Sequence, residues 1–177
     1  MVNYFIVPGL GNSGEDHWQS HLERSENNFV RINQKDWETP DCEDWIETID
    51  QAVSKVDLDT VVLVGHSLGC SAIVHWAKRF NRKIKGAVLV APSDVETEKY
   101  ASFVTTGFNP APKEKLNFKT ILVASSDDEW VSLERARYFA ECWGSEFINI
   151  GEAGHINMAS GYGEWKEGER IIKSLEE

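Results

Sequence analysis

The feature that most constrains this chain is the pentapeptide GHSLG at positions 65–69. It follows an apolar run of strand length, residues 60–64, and precedes a stretch with helical periodicity, residues 68–80. In a turn this tight the serine adopts sparsely allowed dihedral angles, and glycines two residues to either side let strand and helix approach closely. The pattern therefore predicts a sharp strand-to-helix turn that points the Ser67 hydroxyl away from the sheet.

Apolar runs of strand length alternate with helical patterns along the whole chain. Several runs are continuous blocks of Val, Ile and Leu, which is typical of strands covered by helices on both faces. The sequence therefore predicts an α/β fold with about six parallel strands, in the order 2-1-3-4-5-6, and a single domain over residues 1–177. The predicted strands are residues 4–7, 29–32, 60–64, 84–90, 119–124 and 146–150, and the predicted helices are residues 17–24, 42–56, 68–80, 133–143 and about 165–175.

One stretch, residues 92–118, departs from this alternation of strand and helix patterns. It contains Pro110 and Pro112 among mixed aromatic residues, and it is too long for an ordinary connection between a strand and a helix. We expect a small lid there, with one short helix near residues 95–103. A solvent-exposed loop without a role is the alternative.

The charge balance excludes some classes of partner. Eighteen basic and 29 acidic residues give a net charge of -11, which disfavours binding to nucleic acid or to an anionic membrane surface. The start of the chain has no basic segment of the kind that opens a signal peptide, and no apolar stretch approaches about 18 residues, so we expect a soluble, cytoplasmic protein. The three cysteines are few and far apart, which favours thiols in a reducing compartment over disulfides or a zinc site: Cys42, Cys70 and Cys142.

A serine on such a turn is a poor nucleophile by itself and needs a general base, which a third group orients. Where the turn carries the nucleophile of an α/β sheet, an acid and then a histidine are expected after later strands. His155 follows the last predicted strand and is preceded by Gly154, whose backbone freedom can turn the imidazole towards Ser67. His155 is therefore the predicted base.

The acid is one of two adjacent carboxylates after the fifth strand, Asp127 and Asp128. Asp128 fits the common pattern Asp-x-x-Val-Pro, with Ser132 in the proline position, so we predict Asp128 as the acid and Asp127 as a support for the loop. Adjacent carboxylates in loops are more often solvated turn residues, and only the position at the end of a strand favours Asp128 here.

Stabilising an oxyanion requires two amide donors, and we predict those of Leu68 and Leu10. Leu10 lies in the glycine-rich loop 8–14 after the first strand. Such loops also cradle phosphates, but no GxGxxG opens a helix here and no Walker lysine is present, so a nucleotide site is disfavoured.

Two further residues are predicted to contact substrate, Trp130 and His66. A large aromatic side chain is more often simply packed, and His66, which points elsewhere than the nucleophile, has a structural role as its alternative. His17 and His21 have the spacing of a metal-binding pair on a helix, but no third ligand accompanies them. We predict no metal and no cofactor.

With these motifs the chain resembles the small serine hydrolases related to retinoblastoma-binding protein 9, over essentially its whole length. The resemblance rests on VPG at 7–9, NSG at 12–14, HWQS at 17–20, GHSLG at 65–69, ASSDD at 124–128, GHIN at 154–157 and SGYGEW at 160–165. The family usually has a proline after that tryptophan, where this chain has Lys166.

The resemblance implies a compact, metal-free α/β-hydrolase with Ser67, Asp128 and His155 as the catalytic triad. It also implies small ester or amide substrates, and we expect a carboxylesterase first and an amidase or peptidase second. The Leu-x-Cys-x-Glu motif of the namesake member is missing here, so its protein partner is not carried over and any protein partner is unknown. The alternative is a binding module whose active site is vestigial.

Overall fold

The computed structural model describes residues 1–176, and its six strands form one parallel sheet in the order β2-β1-β3-β4-β5-β6. This confirms the predicted α/β class and strand order. The strands are β1 (Asn3–Val7), β2 (Phe29–Arg31), β3 (Val61–His66), β4 (Gly86–Val90), β5 (Lys119–Ala124) and β6 (Glu146–Asn149).

Five helices cover the two faces of the sheet. They are α1 (Trp18–Ser25), α2 (Cys42–Val53), α3 (Leu68–Phe80), α4 (Leu133–Trp143) and α5 (Lys166–Lys173). Apolar side chains of α2, α3 and α4 form one core against the sheet, and those of α1 and α5 form a second core on the opposite face. Burial on both faces explains why β4 and residues 61–65 of β3 are apolar and why both strands are buried along their whole length.

Side-chain caps determine where two of the helices begin. The carboxylate of Asp41 accepts hydrogen bonds from the amides of Glu43 and Asp44 at the start of α2, and the Ser132 hydroxyl accepts one from Arg135 at the start of α4. Helix α4 is terminated by its C-cap residue, Gly144, which adopts the left-handed conformation with φ 71°. Both α3 and α4 have the predicted limits, whereas α2 ends at Val53, three residues before the predicted position.

The connection between β4 and β5 contains residues 92–118, here called the 92–118 segment. It has a single turn of 3-10 helix at Tyr100–Ser102 in place of the longer helix predicted near residues 95–103. Instead of forming helical turns, the segment packs the side chains of Val95, Tyr100 and Phe108 into the core beside α2 and α3. These three side chains anchor the segment to the core, while about half of its residues are exposed to solvent.

None of the helices within residues 1–176 combines the length and the apolar character that crossing a bilayer requires.

Candidate active site

The turn between β3 and α3 holds Ser67 in a strained conformation, with φ 55° and ψ -124°. The flanking glycines permit it. A Cβ atom at Gly69 would lie 2.1 Å from the carbonyl oxygen of Val7, and one at Gly65 would lie 2.7 Å from the Cδ1 atom of Ile73. The turn therefore has the predicted geometry, and its glycines are required because strand and helix backbones are in direct contact.

Three side chains from the carboxyl ends of β3, β5 and β6 meet at this turn. The Ser67 hydroxyl oxygen lies 2.8 Å from the Nε2 atom of His155. The Nδ1 atom of the same imidazole lies 2.9 and 3.0 Å from the two carboxylate oxygens of Asp128. The structure thus brings together the three residues that the sequence predicted, although they span almost 90 positions of the chain.

The hydrogen-bond partners fix the tautomer of His155. A carboxylate accepts hydrogen bonds, so Nδ1 carries the ring proton and donates a hydrogen bond to Asp128. Nε2 is then the unprotonated nitrogen and accepts the hydrogen bond from the Ser67 hydroxyl. This is the arrangement that a general base next to a nucleophile requires.

Asp127 has a different role from its neighbour. One of its carboxylate oxygens accepts hydrogen bonds from the Ser125 hydroxyl at 2.7 Å and from the Gly154 amide at 2.8 Å. These hydrogen bonds lower the pKa of the Asp127 carboxyl group. Asp127 therefore ties the loop after β5 to the loop that carries His155, and it is Asp128 that reaches the imidazole.

The loop that carries His155 is held from several directions. Gly154 adopts φ 54°, and a Cβ atom there would lie 2.3 Å from the Ser160 hydroxyl oxygen. The same hydroxyl accepts a hydrogen bond from the His155 amide, and the indole of Trp18 donates to the carbonyl of Ile156 at 2.9 Å. The imidazole is thus fixed by its backbone as well as by its own hydrogen bonds.

His66 is the one predicted residue that the structure does not bring to the substrate side. Its Nε2 atom lies 2.9 Å from the carbonyl oxygen of His155, and its ring packs between those of His17 and His155. It extends towards α1 because successive side chains on β3 and its turn point to opposite sides. The predicted substrate contact is therefore corrected, and His66 supports the backbone of His155.

Burial favours the neutral form of His66 and His17, the two histidines that pack on the side of the triad away from the cavity. It lowers the pKa of His66 well below the ordinary value, with a further contribution from His155, and it lowers the pKa of His17 to about 4. His17 caps α1 by accepting a hydrogen bond from the Gln19 amide, which requires an unprotonated ring nitrogen. Within residues 1–176, no group of three potential ligands suited to a metal ion is found.

The two predicted oxyanion donors lie on adjoining backbones. Leu68 is the first residue of α3, so its amide has no acceptor within the helix. The loop after β1 packs directly on this turn, since a Cβ atom at Gly9 would lie 2.9 Å from the Cβ atom of Ser67 and 3.2 Å from the Leu68 nitrogen. Leu10 and Leu68 both line the cavity above Ser67.

That cavity has a volume of about 240 Å³ and mostly apolar walls. Trp130, another predicted contact, forms part of its wall, and its amide donates to Asp128 at 2.8 Å. Larger depressions of about 660 and 670 Å³ lie elsewhere on the surface, but none of the triad residues lines them. The lining residues of the smaller cavity are Leu10, Ser67, Leu68, Ser93, Tyr100, Phe103, Trp130 and His155.

Comparison with models of known protein families identifies a family for this chain. The model of the serine hydrolase family matches residues 4–174. This chain belongs to that family. A search of the curated proteins found no match.

Several solved structures are similar to this chain over almost its whole length. A candidate YdeN-like hydrolase from Pectobacterium atrosepticum is 34% identical, with 99% of this chain and 91% of that chain covered and a TM-score of 0.87. The ydeN gene product of B. subtilis is 18% identical, with coverages of 99% and 98% and a TM-score of 0.80. SOBER1 of Arabidopsis thaliana is 17% identical, with coverages of 99% and 99% and a TM-score of 0.63. The latter two similarities concern the fold alone.

Three cavity residues of this serine hydrolase were missed by the sequence reasoning: Ser93, Tyr100 and Phe103. All three lie in the 92–118 segment, whose sequence lacks the periodicity from which the directions of side chains can be predicted. A signal existed for Ser93, because it follows β4, and β4 lies beside β3 in the predicted strand order. Residues just beyond neighbouring carboxyl ends share the site in open α/β sheets.

Proposed function

We propose that this serine hydrolase cleaves small carboxylic esters, with amides as a second substrate class, through an acyl-enzyme on Ser67. The observation that carries the proposal is the continuous hydrogen-bonded chain from Asp128 through His155 to Ser67, with distances of 2.9 and 2.8 Å. Its proton arrangement is the one that acyl transfer needs in the resting enzyme.

In the first half-reaction the Ser67 oxygen attacks the substrate carbonyl carbon while its proton moves to the Nε2 atom of His155. The carbonyl oxygen becomes an oxyanion, which the amides of Leu68 and Leu10 stabilise by hydrogen bonding. His155 then gives the proton to the leaving group as the bond from carbonyl carbon to leaving group breaks. Asp128 stabilises the imidazolium between these two transfers.

In the second half-reaction water takes the place of the leaving group. His155 accepts a proton from the water as its oxygen attacks the acyl carbon, and it returns that proton to the Ser67 oxygen as the ester bond breaks. The products are the free acid and the original enzyme. No group outside the chain is needed for the proton balance.

The size of the cavity supports short acyl groups as substrates. A volume of about 240 Å³ with walls from Tyr100, Phe103 and Trp130 suits an apolar group of a few carbon atoms. A long lipid chain exceeds this space, so lipase activity is disfavoured.

We also infer a kinship with the small hydrolases related to retinoblastoma-binding protein 9. Two motif residues shared with that group hold the backbone near the site by hydrogen bonds. The Trp18 indole donates to the backbone next to His155, and the Gln19 side-chain amide donates to the carbonyls of Val7 and Val64. The net charge of -11 and the three free thiols support a cytoplasmic location without nucleic-acid or membrane partners.

Labelling with a fluorophosphonate probe tests the proposal. We expect the wild type and a Ser126→Ala control, which alters an exposed serine, to be labelled, and Ser67→Ala to be unlabelled and to lose at least about a thousandfold in ester turnover. A panel of p-nitrophenyl esters of increasing acyl length, beside aminoacyl amides, measures the substrate range. A folded wild type without Ser67-dependent labelling would identify a binding module with a vestigial site instead.

A further inference from the structure

A second hydroxyl contacts the nucleophile. The Ser93 hydroxyl oxygen lies 2.8 Å from the hydroxyl oxygen of Ser67 and lines the same cavity. Ser93 is half-buried and follows β4 after only two residues. The acyl-transfer scheme above gives it no role.

Proton counting gives the direction of this hydrogen bond. Ser67 has one hydroxyl proton, and it uses that proton to donate a hydrogen bond to the unprotonated Nε2 atom of His155. The contact of 2.8 Å between the two hydroxyl oxygens is then a hydrogen bond in which Ser93 donates and Ser67 accepts. The nucleophilic oxygen thus accepts one hydrogen bond while it donates another.

The backbone around Ser93 is held on both sides. Before it, Ala91 adopts φ 47° and its amide donates to the carbonyl of Val123 at 2.8 Å. After it, the Asp94 amide donates to the carbonyl of Trp130 at 3.0 Å, and the buried Asp94 carboxylate is paired with Arg135 at 2.7 Å. A non-glycine residue at positive φ is uncommon, and this one turns the chain towards the nucleophile.

We propose that Ser93 is a further catalytic residue of this site, an inference that rests on the proposed function. Its hydroxyl holds the Ser67 oxygen in the rotamer that faces His155. As the Ser67 proton moves to Nε2, negative charge develops on the oxygen, and a hydrogen bond to a charged acceptor is stronger than one to a neutral acceptor. Ser93 keeps its own proton throughout, so the proton balance of the reaction is unchanged.

The test uses two pairs of variants that differ in the hydroxyl group. Ser93→Ala is compared with the wild type, and Ser93→Val with Ser93→Thr, which has nearly the same shape and retains a hydroxyl. We expect kcat for a short p-nitrophenyl ester to fall about tenfold in Ser93→Ala and Ser93→Val, and Ser93→Thr to recover most of it. KM should change by less than about twofold, because the hydrogen bond strengthens only as the proton moves.

The rate of fluorophosphonate labelling is the second readout. It should fall by a similar factor in the two variants without a hydroxyl, while the fraction of protein finally labelled stays complete. A merely structural role would lower the melting temperature and the labelled fraction and leave the rate for the folded molecules unchanged. That outcome would overturn the inference, as would wild-type or higher kcat in both Ser93→Ala and Ser93→Val.

Ser67→Ala separates this inference from the proposed function. If that variant is inactive and Ser93→Ala matches the wild type, only the role of Ser93 is refuted. If Ser67→Ala still turns over ester and is still labelled, the proposed function is refuted as well, and labelling that depends on Ser93 would make Ser93 the nucleophile.

Discussion

The turn that carries Ser67 and the 92–118 segment border the same cavity, but different kinds of contact hold them. At the turn, backbone packs on backbone, and glycines at positions 65 and 69 leave no room for a side chain. The 92–118 segment is held by ion pairs between side chains in addition to backbone hydrogen bonds, such as the one from the Asp94 amide to the Trp130 carbonyl. Arg135 pairs with Asp94 and Glu96, and Glu96 also pairs with Lys113.

The difference teaches how this fold places Ser67 on a backbone-packed turn and much of the cavity wall on the 92–118 segment, to which the proposed catalytic residue Ser93 also belongs. Atoms that must keep their relative positions to a few tenths of an ångström depend on the backbone of a buried strand and helix. Walls that need only suit the shape of a substrate depend on side chains, among them Tyr100 and Phe103. Substitutions at the turn should therefore abolish function, whereas those in the segment should alter it.

The largest effect should come from Gly69→Ala. Its methyl group would lie 2.1 Å from the Val7 carbonyl oxygen, so α3 and β1 would have to separate and Ser67 would move. We expect a loss of about 3 kcal/mol or more in the free energy of unfolding, measured by urea denaturation, and ester turnover near background. The matched control is Gly14→Ala, where no atom lies within 4 Å of the new methyl group.

If Gly69→Ala unfolds at the same urea concentration as the wild type and retains its turnover, the turn is more adaptable than the contact distance implies, and the contrast between the two regions fails.

An intermediate effect is expected from Arg135→Met, which removes the cation from the buried Asp94 carboxylate. An unpaired buried charge is costly, so we expect a loss of about 2–3 kcal/mol in the free energy of unfolding. Turnover should fall less than in Gly69→Ala because the turn itself is untouched. In contrast, Arg79→Met breaks an exposed pair with Glu43 and should cost no more than about 0.5 kcal/mol.

Equal losses of stability in these two arginine variants would mean that the ion pairs of the 92–118 segment contribute no more than surface pairs do.

The smallest effect should be the change in selectivity from Trp130→Leu. Trp130 packs against Phe103, with ring centroids 5.2 Å apart, and its ring lies under the Lys99 ammonium at 4.0 Å. A smaller side chain enlarges the cavity, so the preferred p-nitrophenyl ester should become about two carbons longer, with kcat/KM for it rising a few-fold. Tyr138→Leu, on the exposed side of α4, should keep the wild-type profile. An unchanged profile in Trp130→Leu would show that this wall does not limit the acyl group.

Much of this architecture could be predicted from the sequence, because its signals are local. Continuous Val, Ile and Leu runs specify buried parallel strands, and the GHSLG pentapeptide specifies the turn through the steric demands of its glycines. Asp41 and Ser132 mark two helix starts through hydrogen bonds that span two or three residues.

Other features depend on contacts between distant segments and are therefore hidden in the sequence. The distinction between Asp127 and Asp128 depends on which carboxylate the His155 loop meets. His66 had two predicted roles, substrate contact and structural support, and the contact that distinguishes them is with the backbone of His155, 89 positions away. The path of the 92–118 segment follows from ion pairs with α4, so neither periodicity nor turn signals reveal that Ser93 and Phe103 reach the cavity.

The distribution of the triad along the chain has a consequence during synthesis. Ser67 leaves the ribosome long before His155, and the imidazole of His155 reaches it only after β6 has joined the edge of the sheet. The nascent polypeptide therefore carries an unreactive alcohol while it is incomplete. Under the proposed mechanism, ester turnover therefore requires the sheet to be complete through β6, and it reports on the completion of that part of the fold.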